Sequence, residues 1–443
     1  MKGNLIVADS SLSQNVRLPS DTDILVDAPL VVEALQTPTV QMSAGLQVLF
    51  FLANVAIWFA KFPFQQIVLP LQILAFDASH KTTDLALIAA IGSTFGLLAN
   101  PIAGALSDRT TGRWGRRRPW LISGVILSAM MLALLAYAPN LWTLVLEWTL
   151  YQIVVNAVLA ALLAIIPDQV PLRQRGFVSS FAGLSIPLGL VLGSVLVTRV
   201  LGSRVLPAYY TIGAIFLVII LLLALVLPDK PLGKNVLPGF NPGSFLASFW
   251  ISPAKYPDFA WAWITRFLAL MASSAVTFYL LYYFQDAIHY TSKAAVQGVA
   301  NFNYIYVAVL LVASIGGGFL SDKIRRRKVF VLFGGIVIAL SMLMLAFVQT
   351  RTGTTIAAVL FGLGFGVYLA VDIALITQVL PSASDRGKDL GIFNIANTLP
   401  QVLVPIVAAL TINAFHNYTV LFAIVAVAAL LSGLLVLPIK GVR

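Results

Sequence analysis

The sequence predicts an all-α polytopic membrane protein, with twelve transmembrane helices arranged as two pseudo-symmetric six-helix bundles. Three observations predict it. The chain is 59% apolar and only 10% charged, where soluble proteins carry about 25% charged residues. Uncharged apolar runs of about 20 residues, the length a bilayer-spanning helix needs, recur along it. A third signal is a duplicated pattern of Gly, three residues, Asp and then a basic cluster. Its first copy runs from Gly104 through Asp108, Arg109, Arg113, Gly115, Arg116, Arg117 and Arg118 to Pro119-Trp120. The second runs from Gly318 through Asp322, Lys323, Arg325, Arg326 and Arg327 to Lys328. A transmembrane β-barrel would show short alternating segments instead.

The elements follow in order. Residues 1–43 are mixed and polar, with acids at Asp9, Asp21, Asp23, Asp27 and Glu33, and form an amino-terminal cytoplasmic tail without a signal-peptide pattern. Six spans are predicted at 44–75, 84–107, 119–138, 141–166, 176–199 and 207–228, making a first bundle over 44–228. A polar, Pro/Gly-rich cytoplasmic connection occupies 229–258. Six further spans at 259–286, 294–320, 328–348, 354–380, 388–413 and 417–438 make the second bundle, which with a short cytoplasmic tail covers 259–443.

Basic residues set the orientation. With the amino terminus inside, the inner connections carry seventeen Lys and Arg and the outer ones five: Lys81, Arg199, Arg204, Lys293 and Arg351. Both termini are therefore expected on the cytoplasmic face of the cell membrane. The same loops account for the net charge of +11, so nucleic acid is not an expected partner. The chain has no Cys and three scattered His, which leaves no thiolate chemistry and no ligand cluster for a metal. No cofactor motif is present, and no nucleophile–base constellation points to an enzyme.

The halves match elsewhere. Pro171-Leu-Arg-Gln-Arg175-Gly176 precedes span five, and Pro381-Ser-Ala-Ser-Asp385-Arg386-Gly387 precedes span eleven. Parallel six-helix repeats about an axis along the membrane normal are a transporter architecture. At this point the chain resembles the major facilitator superfamily, whose signature lies between helices 2 and 3 and between helices 8 and 9. The first copy, with Ser107-Asp108-Arg109 and then Gly115-Arg116-Arg117-Arg118-Pro119-Trp120, resembles the sucrose-symporter branch and its bacterial relatives. These belong with the glycoside–pentoside–hexuronide:cation symporters. Asn156, Ala161-Leu162, Pro167-Asp168 and Pro171 are similar to that branch's helix-4 end, and Gly366-Val-Tyr368-Leu-Ala-Val-Asp372 to helix 10 of its bacterial members.

The resemblance implies secondary-active sugar transport coupled to a cation, with two departures. Span 2 has acids only at its ends, Asp84 and Asp108, whereas the melibiose-permease type binds sodium through carboxylates inside that helix. Gln152 stands where plant sucrose symporters carry an Asp, and an amide cannot carry a proton.

An ionisable side chain at bilayer depth costs about 2.5–3.5 kcal/mol. Four fall inside the predicted spans: Lys61, Glu147, Arg266 and Asp372, one each in spans 1, 4, 7 and 10. These lead the three-helix units of a 3+3 fold, and by resemblance they line the central cavity. Arg266 and Asp372 lie at similar depth, roughly 10–12 Å from one face, and are expected to pair or share a pocket. Asp372 is the candidate for protonation-linked coupling, set against a fixed structural ion pair. Lys61 stands among Trp58, Phe59 and Phe62, just before Pro63. Glu147 lies near the outer end of span 4, as either an interfacial or a functional carboxylate. Gln152 and Asn156, four apart, share a helix face and join the candidate cavity as groups for sugar hydroxyls, with Gln65, Gln66, Asn301, Asn303, Asn394, Asn397 and Gln401 as further amides.

The basic loops fix topology, and by resemblance they also latch a cytoplasmic gate. Asp108 would approach the start of helix 11 near Arg386, and Asp322 the start of helix 5 near Arg175. The function expected is a proton-coupled symporter of sugars (oligosaccharides or glycosides) working by alternating access. The alternative is a facilitator or exporter of another small polar or amphipathic solute. A non-transporting scaffold or receptor is disfavoured by charges placed on the cavity helices.

Overall fold

The computed structural model describes residues 38–232, 243, 255–324, 326–379 and 386–440, without the side chains of 373, 374, 376–379 and 386–394. The expected tail up to residue 37, most of the 229–258 connection, Arg325 and residues 380–385 lie outside the described residues. So do the side chains of Arg386 and Asn394.

All regular structure among the described residues is helical. The membrane-length helices are α1 (Ala44–Phe76), α2 (Lys81–Asp108), α3 (Arg118–Leu135), α4 (Leu141–Gln169), α5 (Leu172–Val200), α6 (Val205–Val226), α7 (Pro257–Asp286), α8 (Ser292–Ile324) and α9 (Arg327–Phe347). Then come α10 (Arg351–Val379), α11 (Arg386–Phe415) and α12 (Thr419–Leu434). Eleven are long and apolar enough to cross a bilayer. The twelfth has 16 residues, about 24 Å of helix, where a span to 438 was expected; Leu435–Pro438 continue it as turns.

The outside is the apolar side. Val312, Ile315 and Phe319 are 73%, 77% and 73% exposed along one stripe of α8, a face suited to lipid rather than water. The duplication extends to packing. The pairs α1–α5, α2–α4, α3–α4, α3–α6 and α1–α6 recur as α7–α11, α8–α10, α9–α10, α9–α12 and α7–α12. Between the halves, α2 packs on α11 and α5 on α8, which are equivalent pairs under that repeat, and α1 meets α7.

Helix α1 is not uniform. Pro63 has no N–H to give, and its ring crowds the carbonyl one turn back. The ladder widens there into a π turn over Phe64–Val68 that holds Gln65 and Gln66 inside the protein. Such turns concentrate at functional positions. A second π turn, Leu196–Val200, ends α5.

The halves are pinned at one end. With both partners described, every hydrogen bond joining them lies mid-membrane or toward the end away from the basic loops. Asn303 of α8 donates to Gln66 Oε1 at 2.8 Å and to Ser194 Oγ at 3.0 Å. Tyr282 donates to the Pro70 carbonyl at 2.9 Å, and Thr82 and Thr83 bond Asn413 at 3.1 and 2.8 Å. Lys81 Nζ meets Asp286 Oδ1 at 2.6 Å, while Tyr418 donates to the other Asp286 oxygen at 2.7 Å.

Candidate functional site

Two of the four intramembrane charges meet. The Arg266 guanidinium of α7 contacts the Asp372 carboxylate of α10. Tyr368, one turn before Asp372, donates to its other oxygen at 2.9 Å. Arg266 Nε also donates to Asn397 Oδ1 on α11. Asp372 is 3% exposed, so each lone pair it turns inward needs a donor. Three helices thus converge on one carboxylate, and the i,i+4 spacing of Tyr368 and Asp372 is what puts both on that face.

Lys61 is elsewhere. It is 7% exposed, its Nζ stands 5.6 Å from the Trp58 ring centre, and it forms no ion pair with an acidic side chain among the described residues. Glu147 is half-buried, with Oε2 enclosed and without a hydrogen-bond partner. Gln152 and Asn156 do share a face, and that face lies in the seam between α2 and α4. A Cβ on Gly96 would stand 2.7 Å from Asn156 Nδ2, and one on Gly92 3.4 Å from Gln152 Cγ. Gly96 is what lets Asn156 fit, whereas Gly92 makes room for Trp148, 2.6 Å from where its Cβ would be. Asn156 Nδ2 donates back to the Gln152 carbonyl at 2.8 Å, and Gln152 Oε1 is buried without a partner. A hollow of about 490 Å³, lined by Phe284, Tyr290, Gln297, Asn301, Arg351 and Thr354 among others, opens at the end away from the basic loops. It holds none of the four charges.

The first basic loop closes on itself. Arg117 is 3% exposed and contacts Asp108, donates to Ser107 Oγ at 2.5 Å, and reaches Asp168 at 2.7 Å. Arg116 meets the other Asp168 oxygen at 3.0 Å. Asp229, just past α6, accepts the backbone N–H of Arg117 at 2.5 Å and of Arg118 at 2.9 Å, capping α3. Gly115 makes this possible. Its φ is +87°, and a Cβ there would stand 2.3 Å from Asp229 Cγ. The sequence reading missed Asp229 as a partner, although its place at the end of span six was a usable signal. It also missed Asp286 as the counter-charge to Lys81.

Of the expected latch residues, Asp108, Asp322 and Arg175 have partners within their own half here. Asp322 is 4.0 Å from Arg327, its side chain 80% exposed. Arg175 donates to the carbonyls of Val170 and Pro167 at 3.0 and 3.1 Å. Arg109 is in an interaction of its own. A Cβ on Gly104 would meet nothing within 4 Å.

Comparison with known proteins bears on this architecture. The profile of the Major Facilitator Superfamily matches residues 48–302 and 298–442. The chain belongs to that superfamily. Its membrane-length apolar helices fit a multi-pass membrane protein of that superfamily. Among curated proteins, an uncharacterized symporter of Synechocystis is 44% identical over 66 residues, 13% of this chain and 12% of that protein. A general alpha-glucoside permease of Schizosaccharomyces pombe is 44% identical over 50 residues, 11% of this chain and 9% of that protein. These matches span about a tenth of the relatives' lengths. A fujikurins efflux protein of Gibberella fujikuroi is 24% identical over 364 residues, 81% of this chain and 74% of that one.

Proposed function

We propose that this major facilitator transporter is a proton-coupled sugar symporter, taking oligosaccharides or glycosides by alternating access. The observation that carries the coupling is the buried Asp372 carboxylate held between Arg266 and Tyr368. Protonation of Asp372 removes the charge that holds Arg266, so the links among α7, α10 and α11 change with one proton. The sugar half of the reading is supported by the short, high-identity stretches shared with a glucoside permease and a symporter. The residue set proposed for solute and coupling is Lys61, Glu147, Gln152, Asn156, Arg266 and Asp372.

In this reading both termini and the basic loops face the cytoplasm, and residues 44–228 and 259–443 are the two rocking bundles. The pins at the far end belong to a state closed to the outside, with the cytoplasmic gate released. Shutting that gate brings Asp108 to the start of α11 near Arg386, and Asp322 toward Arg175. The open space at Gly104 leaves room for that approach.

Uptake of labelled disaccharides into proteoliposomes, with and without an inward proton gradient, tests the proposal. The wild type should accumulate sugar only with the gradient, and Asp372→Asn should equilibrate it without accumulation. Concentrative uptake retained by Asp372→Asn would refute the coupling role. A second reading, export of an amphipathic solute, is favoured by the long match to an efflux protein; gradient-driven extrusion from inverted vesicles would establish it instead.

A further inference from the structure

Helix α1 carries one polar row. Asn54, Trp58, Lys61 and Gln65 follow at intervals of four, three and four residues, so they share a helix face up to the π turn. Asn54 and Gln65 are each 1% exposed. Asn54 Nδ2 is used by the Phe50 carbonyl at 2.8 Å, while Asn54 Oδ1 and Gln65 Nε2 are enclosed without hydrogen-bond partners. Between them stands the Lys61 ammonium, with an indole ring beside it and no counter-charge among the described residues.

The other intramembrane charges do not supply one. Asp372 is taken up by Arg266 and Tyr368. Glu147 sits on α4 near the end away from the basic loops and makes no ion pair with Lys61. A buried cation left alone is unfavourable by several kcal/mol, whereas the same cation hydrogen-bonded to an anion is held. The row also offers what a sugar needs: an aromatic ring to lie against, one free acceptor and one free donor.

We propose that Lys61 receives a negatively charged group of the transported solute, so that the solute is a carboxylated sugar rather than a neutral one. Trp58 lies against its ring, Lys61 pairs with its carboxylate, and Asn54 Oδ1 and Gln65 Nε2 take hydroxyls on either side. This rests on the sugar reading above for the ring and hydroxyls; the charge requirement rests on Lys61 alone. It departs from the alpha-glucosides named for one of the relatives.

The test uses matched pairs on the purified full-length protein, scored by thermal shift and by binding titration. One pair is methyl α-glucopyranoside and methyl α-glucopyranosiduronate; the other is cyclohexylmethanol and cyclohexanecarboxylate. The uronate should bind wild type about tenfold or more tighter than the neutral glycoside, as expected for a hydrogen bond to a charged group. In Lys61→Met that preference should vanish, and in Lys61→Arg part of it should remain. Empty Lys61→Met should melt no lower than wild type, because it loses an unpaired charge, so loss of binding is not loss of fold. Equal binding of the two glycosides, or a preference that survives in Lys61→Met, overturns the inference and leaves the sugar reading standing. A Lys61-dependent response to cyclohexanecarboxylate alone keeps the charge requirement and removes the sugar. Stabilisation of wild type by neither acid overturns the inference.

Discussion

At the scale of single residues, the Arg266–Asp372 contact is the group of charges with most at stake. Removing one member leaves the other buried and unpaired, which costs about 3–5 kcal/mol, whereas replacing both with apolar residues is often close to neutral. Arg266→Leu and Asp372→Leu should therefore each lower thermal stability strongly, and the double variant should recover most of it. Additive losses in unfolding experiments would show that the two side chains do not act as a pair. A second residue-scale case lies in the exposed α1–α2 connection. Asp77 accepts from Ser79 and from His80, whose Nδ1 is 2.8 Å away. The hydrogen bond to Asp77 raises the His80 pKa above the usual 6.5, and those from Ser79 and then His80 push the Asp77 pKa down. The sign for His80 follows: its contribution is complete below the unfolded value and is lost as pH rises through the raised folded value. For Asp77 the contribution is present above its unfolded value and lost as pH falls through the lowered one. The pair is thus intact across mildly acidic pH. NMR titration should give a raised His80 pKa that returns to normal in Asp77→Asn.

Among elements, the junction of α3 with its preceding loop shows how a motif holds shape. Gly115 supplies a left-handed turn and the space for Asp229, and Asp229 caps two backbone N–H groups of α3. Gly115→Ala meets both a left-handed penalty of about 1–2 kcal/mol and the carboxylate itself. It should destabilise more than Asp229→Ala, for which a lost cap costs about 1 kcal/mol. Chemical denaturation in detergent checks the order, and the reverse ranking would mean that the loop re-forms without the capping contact. The long apolar runs and their polar breaks made these helices legible in advance. The shortness of α12 and the π turn of α1 were less so, because both depend on how a helix end or a proline is accommodated by its neighbours. Pro63 was visible in the sequence; where its displaced turn would aim Gln65 and Gln66 was not.

Across the whole molecule, the halves meet through pins at one end. Lys81–Asp286 is the charged member, with Asp286 also held by Tyr418. Asp286→Asn should weaken this closure and shift the population toward opening at that end. The chain has no native Cys, so single-Cys variants can report on it directly. Thr83→Cys should label with an impermeant thiol reagent several-fold faster beside Asp286→Asn than alone, since an exposed or half-exposed ion pair contributes about 1 kcal/mol or less. Unchanged labelling would show that the pins left in the Thr83→Cys background suffice without the ion pair. The sequence by itself determined the class, the duplicated halves and the rarity of intramembrane charge. All of these follow from what a bilayer demands of composition and from a motif repeated along the chain. Similar depth in the sequence predicts that Arg266 and Asp372 pair or share a pocket; only the tertiary structure decided that they touch and what surrounds the other charges. Arg266 reaches Asp372 across helices more than a hundred residues apart in sequence, Lys61 has no counter-charge among the described residues, and Gln152 and Asn156 turn into the α2–α4 seam. Helical periodicity fixes which residues share a face. Only packing decides whether that face turns to a partner, a neighbouring helix or a solute.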